Sequence, residues 1–288
     1  MIIVTGATGQ LGRAIVRALV QRRPSAEVGA SARDVEKAAD LAALGVRVRQ
    51  ADFESPASLS HAFEGASQVL LVSSNARAHG GDPLAQHRNA IEAARSAGAG
   101  RVLYTSHMAG SRTSAFPPMR DHAATEEMLA SSGLAWTSLR NGFYAQSGLM
   151  MLGEALKTGE LALPEEGKVS WTAHADLAEA AAAVLCEEGR FDGPTPPLTG
   201  SEALSLAELS TIAADLQRKP LRRVFLTDDQ HRTKLAARGL PPAVAEIAMG
   251  FFVASRRGEF VAVDPTLEKL IGRPPVRMKD FVAQEIDR

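Results

Sequence analysis

Apolar and polar positions along the first half of the chain switch repeatedly between two periods, short β-branched runs and helical spacing. Ile2, Ile3, Val4 and Thr5 form a run that predicts a buried strand, and Leu11, Ala14, Ile15, Ala18 and Leu19 then recur as one face of an amphipathic helix. Residues 26–32 predict a second strand, and residues 34–44 a helix stopped at Gly45, a usual place for a left-handed C-terminal residue. Val46, Val48 and Ala51 alternate with polar neighbours as a third strand, after which Ser55 and Pro56 cap and start a helix through Phe63. Residues 69–72 are continuously apolar, as at the centre of a parallel sheet. Asp82 and Pro83 open a further helix that closes near Gly98, Val102 to Tyr104 make a fifth strand, and residues from Ala135 onwards a sixth.

The pattern becomes more mixed beyond Ser147. His174 opens an alanine-rich helix ending near Glu188, Ser205 and Glu208 form a capping box for a helix through Leu216, and residues 241–257 predict another helix. Phe251, Phe252 and Phe260 add apolar bulk there, and residues 264–288 close the chain with Leu267, Leu270, Ile271, Phe281 and Val282 as core anchors. Strand and helix alternating through short connections imply right-handed crossovers, hence an α/β fold with a doubly wound parallel sheet. Residues 1–146 are expected to form its nucleotide-binding part. Residues 147–288 then supply the remaining sheet elements and a small mixed C-terminal lobe over the cleft, within one structural unit.

Composition narrows the field by exclusion. The chain has 288 residues, long enough to bury a core without disulfides or metal. Its single cysteine, Cys186, rules out an intrachain disulfide and any cysteine-rich metal site, so no metal is expected. A net charge of -1 gives no global field for nucleic acid or anionic membrane. No apolar run approaches the roughly 20 residues of a membrane span, and the chain starts directly in a strand, so a cytoplasmic protein is expected.

Chemistry enters at the first strand-to-helix turn, Gly6-Ala7-Thr8-Gly9-Gln10-Leu11-Gly12. Gly6 allows the tight turn, Gly9 lets backbone approach a pyrophosphate, and Gly12 lets the helix sit close on the sheet. A phosphate there would meet unpaired amides at the positive end of a helix dipole. With a strand before it and an amphipathic helix after it, the turn predicts a dinucleotide site of the Rossmann kind.

The spacing, one residue wider between the first two glycines than G-x-G-x-x-G, resembles the short-chain dehydrogenase/reductase superfamily. The wording from Thr5 to Gly12 is similar to the atypical NmrA-like branch, and within it to bacterial NAD(P)H quinone reductases and triphenylmethane dye reductases. Cofactor choice is read about 20 residues further on, where an acid would hold the ribose of NAD. Arg33 stands there, able to pair with a 2'-phosphate, with Lys37 one turn on. Arg33 is alternatively a solvated charge, and Asp34 a helix cap or the ribose acid. The resemblance, which extends to an Arg-x-x-x-Lys-Ala stretch from Arg33 to Ala38, implies NADP(H) over NAD(H). It also implies that Asp52 meets the adenine, although a turn aspartate would look the same. Ser73, Ser74 and Asn75 end the fourth strand, at the sheet edge where ligands of such folds sit.

The superfamily's usual Tyr-x-x-x-Lys pair, in which lysine tunes the phenol and tyrosine moves the proton, is missing. Of the two tyrosines, Tyr104 is followed at the fourth place by Met108 and Tyr144 by Gly148. Where related chains carry Lys-x-x-x-Glu, this one has His122 and Glu126, and the tyrosine position is Pro118. His122 is therefore expected to hydrogen-bond the nicotinamide ribose, or to be structural. Tyr144 and His122 are the two candidates for a catalytic side chain, and neither is assigned.

The stretch Leu139-Arg140-Asn141-Gly142-Phe143-Tyr144 resembles the family's cofactor and acceptor wall. Asn141 offers a donor and an acceptor to nicotinamide, Phe143 and Tyr144 could stack on a flat acceptor, and His174 is a further acceptor-site candidate. Phe143 equally suits a core aromatic cluster. Taken together, the reading is an NAD(P)H-dependent reductase of quinones, dyes or similar conjugated acceptors, with room for a homodimer. The other class that the resemblance allows is a dinucleotide-sensing regulator that binds cofactor without turning it over.

Overall fold

A computed structural model describes residues 1–286; Asp287 and Arg288, the end of the last predicted core segment, lie outside the described residues. The chain runs β1 (Ile2–Val4), α1 (Gln10–Val20), β2 (Val28–Ala32), α2 (Ala39–Ala42), β3 (Arg47–Gln50), α3 (Pro56–Phe63), β4 (Gln68–Leu71), α4 (Pro83–Ser96) and β5 (Arg101–His107). It continues through α5 (Pro117–Ala130), β6 (Ala135–Asn141), β7 (Phe143–Tyr144), α6 (Ala145–Thr158), β8 (Glu160–Leu163), β9 (Trp171–Thr172), α7 (His174–Cys186) and β10 (Gly193–Pro194). The remainder is α8 (Leu206–Gln217), β11 (Arg222–Phe225), α9 (Asp228–Ala237), α10 (Pro242–Arg256), α11 (Thr266–Ile271) and α12 (Met278–Ile286).

Seven strands form one parallel sheet in the order β10-β6-β5-β4-β1-β2-β3. The strand order reverses between β1 and β4, which opens a crevice at their carboxyl ends. Apolar residues of α1 (Ile15, Val16, Leu19) and α7 (Leu177, Val184, Leu185) cover one face with Leu103 and Leu139. Leu59, Phe63, Ala90 and Ile91 of α3 and α4 cover the other with Val69, Leu71 and Tyr104. The chain returns to this sheet after the lobe begins, since β10 pairs with β6 and Leu267 and Leu270 belong to the α1 side of the core. A third cluster, built on Trp171, Phe251, Phe252, Phe260 and Phe281, is the interior of the lobe.

Several boundaries differ from the sequence expectation for local reasons. The predicted helix over residues 34–44 is a 3-10 turn, Glu36–Ala38, followed by the single turn of α2. The Asp34 carboxylate accepts the Glu36 amide at 3.1 Å and so holds a turn where a helix would begin. The predicted start of β2 is another 3-10 turn, Ser25–Glu27, behind Pro24. Val72 leaves the β4 ladder, its amide donating to Thr5 Oγ1 at 2.9 Å. β5 runs three residues past Tyr104, because β6 pairs it in register from Arg101 with Ala135 to His107 with Asn141. Gly142 then ends β6: a side chain there would sit 2.3 Å from Thr172 Oγ1, and its amide donates to the Leu198 carbonyl at 2.7 Å. Phe143 and Tyr144 therefore leave the main sheet and pair with Trp171 and Thr172.

Candidate active site

The turn after β1 is built by close backbone packing. Gly6 has φ +60, the Gly9 amide closes onto the Gly6 carbonyl at 3.0 Å, and a Cβ on Gly12 would lie 2.4 Å from that same carbonyl. Gly9 is the N-cap of α1 and no side chain caps the helix. Arg13 is the first residue whose amide reaches a backbone carbonyl of the helix start, Gly9 O at 3.0 Å, so the amides of Gln10, Leu11 and Gly12 face outward. They open into a cavity of about 730 Å³ at the switch point of the sheet. This volume falls within the roughly 300–1,000 Å³ usual for small-ligand sites.

The cavity brings together Gly6, Thr8, Gly9, Gln10, Leu11 and Gly12 from the turn, Arg33 after β2, Asp52 after β3, Ser73, Ser74 and Asn75 after β4, and Tyr144 and His174 at the far end. A glycine cradle with bare amides, an exposed arginine 21 positions past Gly12, and an aromatic end are the parts a phosphorylated dinucleotide requires, and they lie along one cleft. The Arg33 guanidinium has no hydrogen bond or ion pair among the described residues, whereas Lys37 is engaged by Asp34 at 3.2 Å. Asp52 has a second occupation, its carboxylate accepting the Glu54 amide at 2.9 Å as a turn residue does. The Ser74 hydroxyl is bonded to the Gln86 side chain, and the Ser74 amide donates to His87 Nε2 at 2.9 Å.

His122, Asn141 and Phe143 are not among the residues lining this cavity. His122 Nδ1 is held by the Tyr104 hydroxyl at 2.8 Å. Asn141 is buried, and its Oδ1 has no hydrogen-bond partner among the described residues. Phe143 packs edge-on against Trp171, Phe251 and Phe260 at 5.1 to 5.4 Å and tilted against Phe116 at 5.8 Å, inside the lobe core, so its ring is an anchor of that core. Arg140 is tied through Nε and Nη2 to Glu126, which also accepts from Ser106 and Ser138 at 2.8 and 2.7 Å. Burial alone would push Glu126 up, but these four donors hold it below its ordinary value.

The polar group behind the cavity is uncharged. Since Ser74 donates to His87 Nε2, His87 Nδ1 carries the proton and donates to Thr125 Oγ1 at 2.8 Å, and Thr125 donates onward to the Asp121 carbonyl. Burial lowers His87 to about 3 and His122 to about 4, and raises the Tyr104 phenol well above 10. At the far end of the cavity, Tyr144 and His174 face each other with ring centroids 4.3 Å apart, the phenol pushed up to about 12 and the imidazole down to about 4 by burial. Near neutral pH none of these side chains carries charge or changes it.

Sequence reading missed Gln86, which lines the cavity, His87, which holds the Ser74 amide behind it, and the Arg77–Asp121 pair, in which Asp121 on α5 accepts from Arg77 at 2.5 and 2.6 Å. Gln86 and His87 had a local signal, lying one turn past the Asp82 cap and so aimed back at the loop after β4. Among the described residues no group of three or more His, Cys, Asp or Glu side chains is placed to hold a metal ion, and no helix is long and apolar enough to cross a membrane.

Comparison with known proteins agrees with this geometry. Residues 6–188 match a family model described as NAD(P)H-binding. Quinone oxidoreductase 2 of Escherichia coli is 35% identical over 284 residues, covering 98% of each chain. The solved NADPH complex of an NADPH-dependent quinone oxidoreductase from Escherichia coli superposes with a TM-score of 0.91 at 34% identity, covering 99% of this chain and 100% of that one. The Citrobacter triphenylmethane reductase complexed with NADP(H) follows at 0.87 and 32%, with 99% of both chains covered. The chain thus belongs to the NAD(P)H-binding family, in the NmrA-like oxidoreductase branch that its glycine turn resembles.

Proposed function

We propose that the protein is a cytoplasmic NADPH-dependent oxidoreductase that reduces quinones, dyes and similar flat conjugated acceptors. The observation that carries this reading is one cleft with a bare-amide glycine cradle and Arg33 at one end and the paired rings of Tyr144 and His174 at the other. When bound, NADPH supplies a hydride. The first-turn amides of α1 hold the pyrophosphate, and Arg33 pairs with the 2'-phosphate. Ser73, Ser74 and Asn75 line the ribose end, their loop fixed by Thr105 and His87 from below. Tyr144 gives the acceptor a flat wall, and the lobe over the cleft limits water.

Among the described residues no charged acid faces this end of the cleft, so the chain favours acceptors that stabilise incoming negative charge by conjugation over simple ketones. The product's proton then comes from solvent. The likeness to quinone- and dye-reducing proteins supports the same acceptor class. The test is loss of reduced-nicotinamide absorbance against a panel of quinones, azo dyes and triphenylmethane dyes. Turnover of at least one class with NADPH preferred is expected. NADPH binding without turnover on any acceptor would instead indicate a dinucleotide sensor.

A further inference from the structure

The carboxyl ends of β5 and β6 carry a buried polar pair that the proposed mechanism does not use. His107 and Asn141 are register partners on adjacent parallel strands, 8% and 2% exposed. Strand alternation puts their backbone positions on the face of Leu103 and Leu139, while at the strand end the His107 ring packs against His122 of α5 at 6.1 Å and Phe143 at 5.3 Å. Thr105, two residues before His107 on the same face, bonds to the Ser73 amide at 2.8 Å and so borders the cavity wall. His107 Nδ1 accepts the Ala109 amide at 3.2 Å, which leaves the proton on Nε2. That Nε2–H is buried with no acceptor among the described residues, and on the neighbouring strand Asn141 Oδ1 is buried with no donor. Unpaired buried donors are rare and costly, and an aromatic surround of Phe143 at 5.3 Å and Phe260 at 5.7 Å offers His107 no substitute.

The geometry points to His107 as the group that receives the acceptor's carbonyl oxygen, its Nε2–H donating a hydrogen bond to an oxygen that becomes negative as the acceptor is reduced. This deepens the quinone reading and rests on it. Burial and the neighbouring His122 hold His107 well below the usual histidine range, so the ring is neutral and remains a donor without giving up its proton. A fixed neutral donor among the Phe143 and Phe260 rings stabilises developing charge more than it stabilises the neutral quinone. A triphenylmethane cation has no carbonyl oxygen and takes hydride at carbon. His107 therefore separates the two acceptor types.

The test compares wild type, His107→Leu and His107→Gln, the last keeping an N–H donor near the position of Nε2. Binding of 1,4-naphthoquinone to the NADP-bound protein is followed by quenching of tryptophan fluorescence, with reduction of naphthoquinone and of malachite green and the Tm measured alongside. In His107→Leu, naphthoquinone kcat should fall about 10- to 100-fold and its Kd weaken, with malachite green reduction unchanged within about 2-fold. The Tm should equal or exceed wild type, because an unpaired donor has been removed, and His107→Gln should restore most of the quinone rate. An unchanged naphthoquinone Kd and kcat in His107→Leu would overturn the assignment, as would a joint fall of both acceptors with the Tm, or no naphthoquinone binding to wild type. A wild type that binds naphthoquinone but oxidises NADPH with neither naphthoquinone nor malachite green overturns the reductase reading instead, and the Kd comparison still decides the role of His107.

Discussion

The Tyr104 hydroxyl on β5 lies 2.8 Å from His122 Nδ1 on α5, so a phenol and a base do meet between sheet and helix. They come from a strand and a helix 18 positions apart, not from one helix at four-residue spacing. The consequence is chemical as well as topological. In a Tyr-x-x-x-Lys site the cationic lysine pulls the phenol down toward neutrality. Here burial raises Tyr104 well above 10 and lowers His122 to about 4, so the pair is a neutral strut between sheet and helix.

Acid should unfold the protein through its histidines. His87 is lowered to about 3, His122 to about 4 and His174 to about 4, each first by burial. Between those values and the ordinary 6.5 the unfolded chain binds protons that the folded chain refuses, so stability rises with pH across this window and is lost as pH falls through it. The three together should cost on the order of a few kcal/mol between pH 7 and pH 5. Urea midpoints at the two pH values check this, and His174→Asn should remove about a third of the difference. Equal midpoints for wild type would contradict it.

The two inner glycines of the turn should fail in different ways. A Cβ on Gly12 would lie 2.4 Å from the Gly6 carbonyl, whereas one on Gly9 would lie 3.3 Å from it and beside the cavity. Gly12→Ala should therefore destabilise the fold by about 1–3 kcal/mol as an overpacked contact. Gly9→Val should keep circular dichroism and lose NADPH affinity. Calorimetric titration together with thermal melting separates the two, and a Gly9→Val protein that binds NADPH normally would make that glycine only structural.

What was legible in the sequence was local. The glycine turn, the Asp82 and Ser205 caps, and the continuous apolar run of β4 each carry their physical reason within a few residues, and the elements they predict are present. The short strands of the lobe were not legible, because β8 finds its partner β11 about 60 positions later and neither has a buried alternating face of its own. The same limit hid the candidate site behind the cleft. Nothing local joins Tyr104 to His122, or says that the polar end of β5, Thr105 to His107, stays in the ladder because β6 pairs it to the last residue.

Arg33 should decide cofactor choice. Its guanidinium is exposed at the cavity and has no partner among the described residues, so it is free to meet a 2'-phosphate. Arg33→Ala should cost about 1.5–3 kcal/mol in NADPH binding, tens-fold in Kd, and leave NADH nearly unchanged. Fluorescence titration of both cofactors measures this. Equal weakening of both would show that Arg33 serves the fold and not the phosphate.

The last expectation is that no side-chain acid is essential to the hydride step. Pro118 has no proton to offer, Tyr104 is held as a phenol and His122 as a neutral imidazole near pH 7, and Tyr144 is pushed up to about 12. Removing an obligatory general acid costs about 10²- to 10⁴-fold in rate. His122→Ala should instead act by loosening α5 against β5, raising the NADPH Michaelis constant while lowering kcat less than about 10-fold. Tyr104→Phe should lose one buried hydrogen bond, about 0.5–1.5 kcal/mol of stability, and keep kcat within the same limit. Tyr144→Phe should leave kcat in place and shift only the acceptor's Michaelis constant. NADPH deuterated at the transferred position should deliver deuterium to the central carbon of a triphenylmethane dye, as direct transfer requires. A collapse of kcat in His122→Ala at saturating NADPH would sink the acid-free mechanism, and a dye product without deuterium would sink direct transfer.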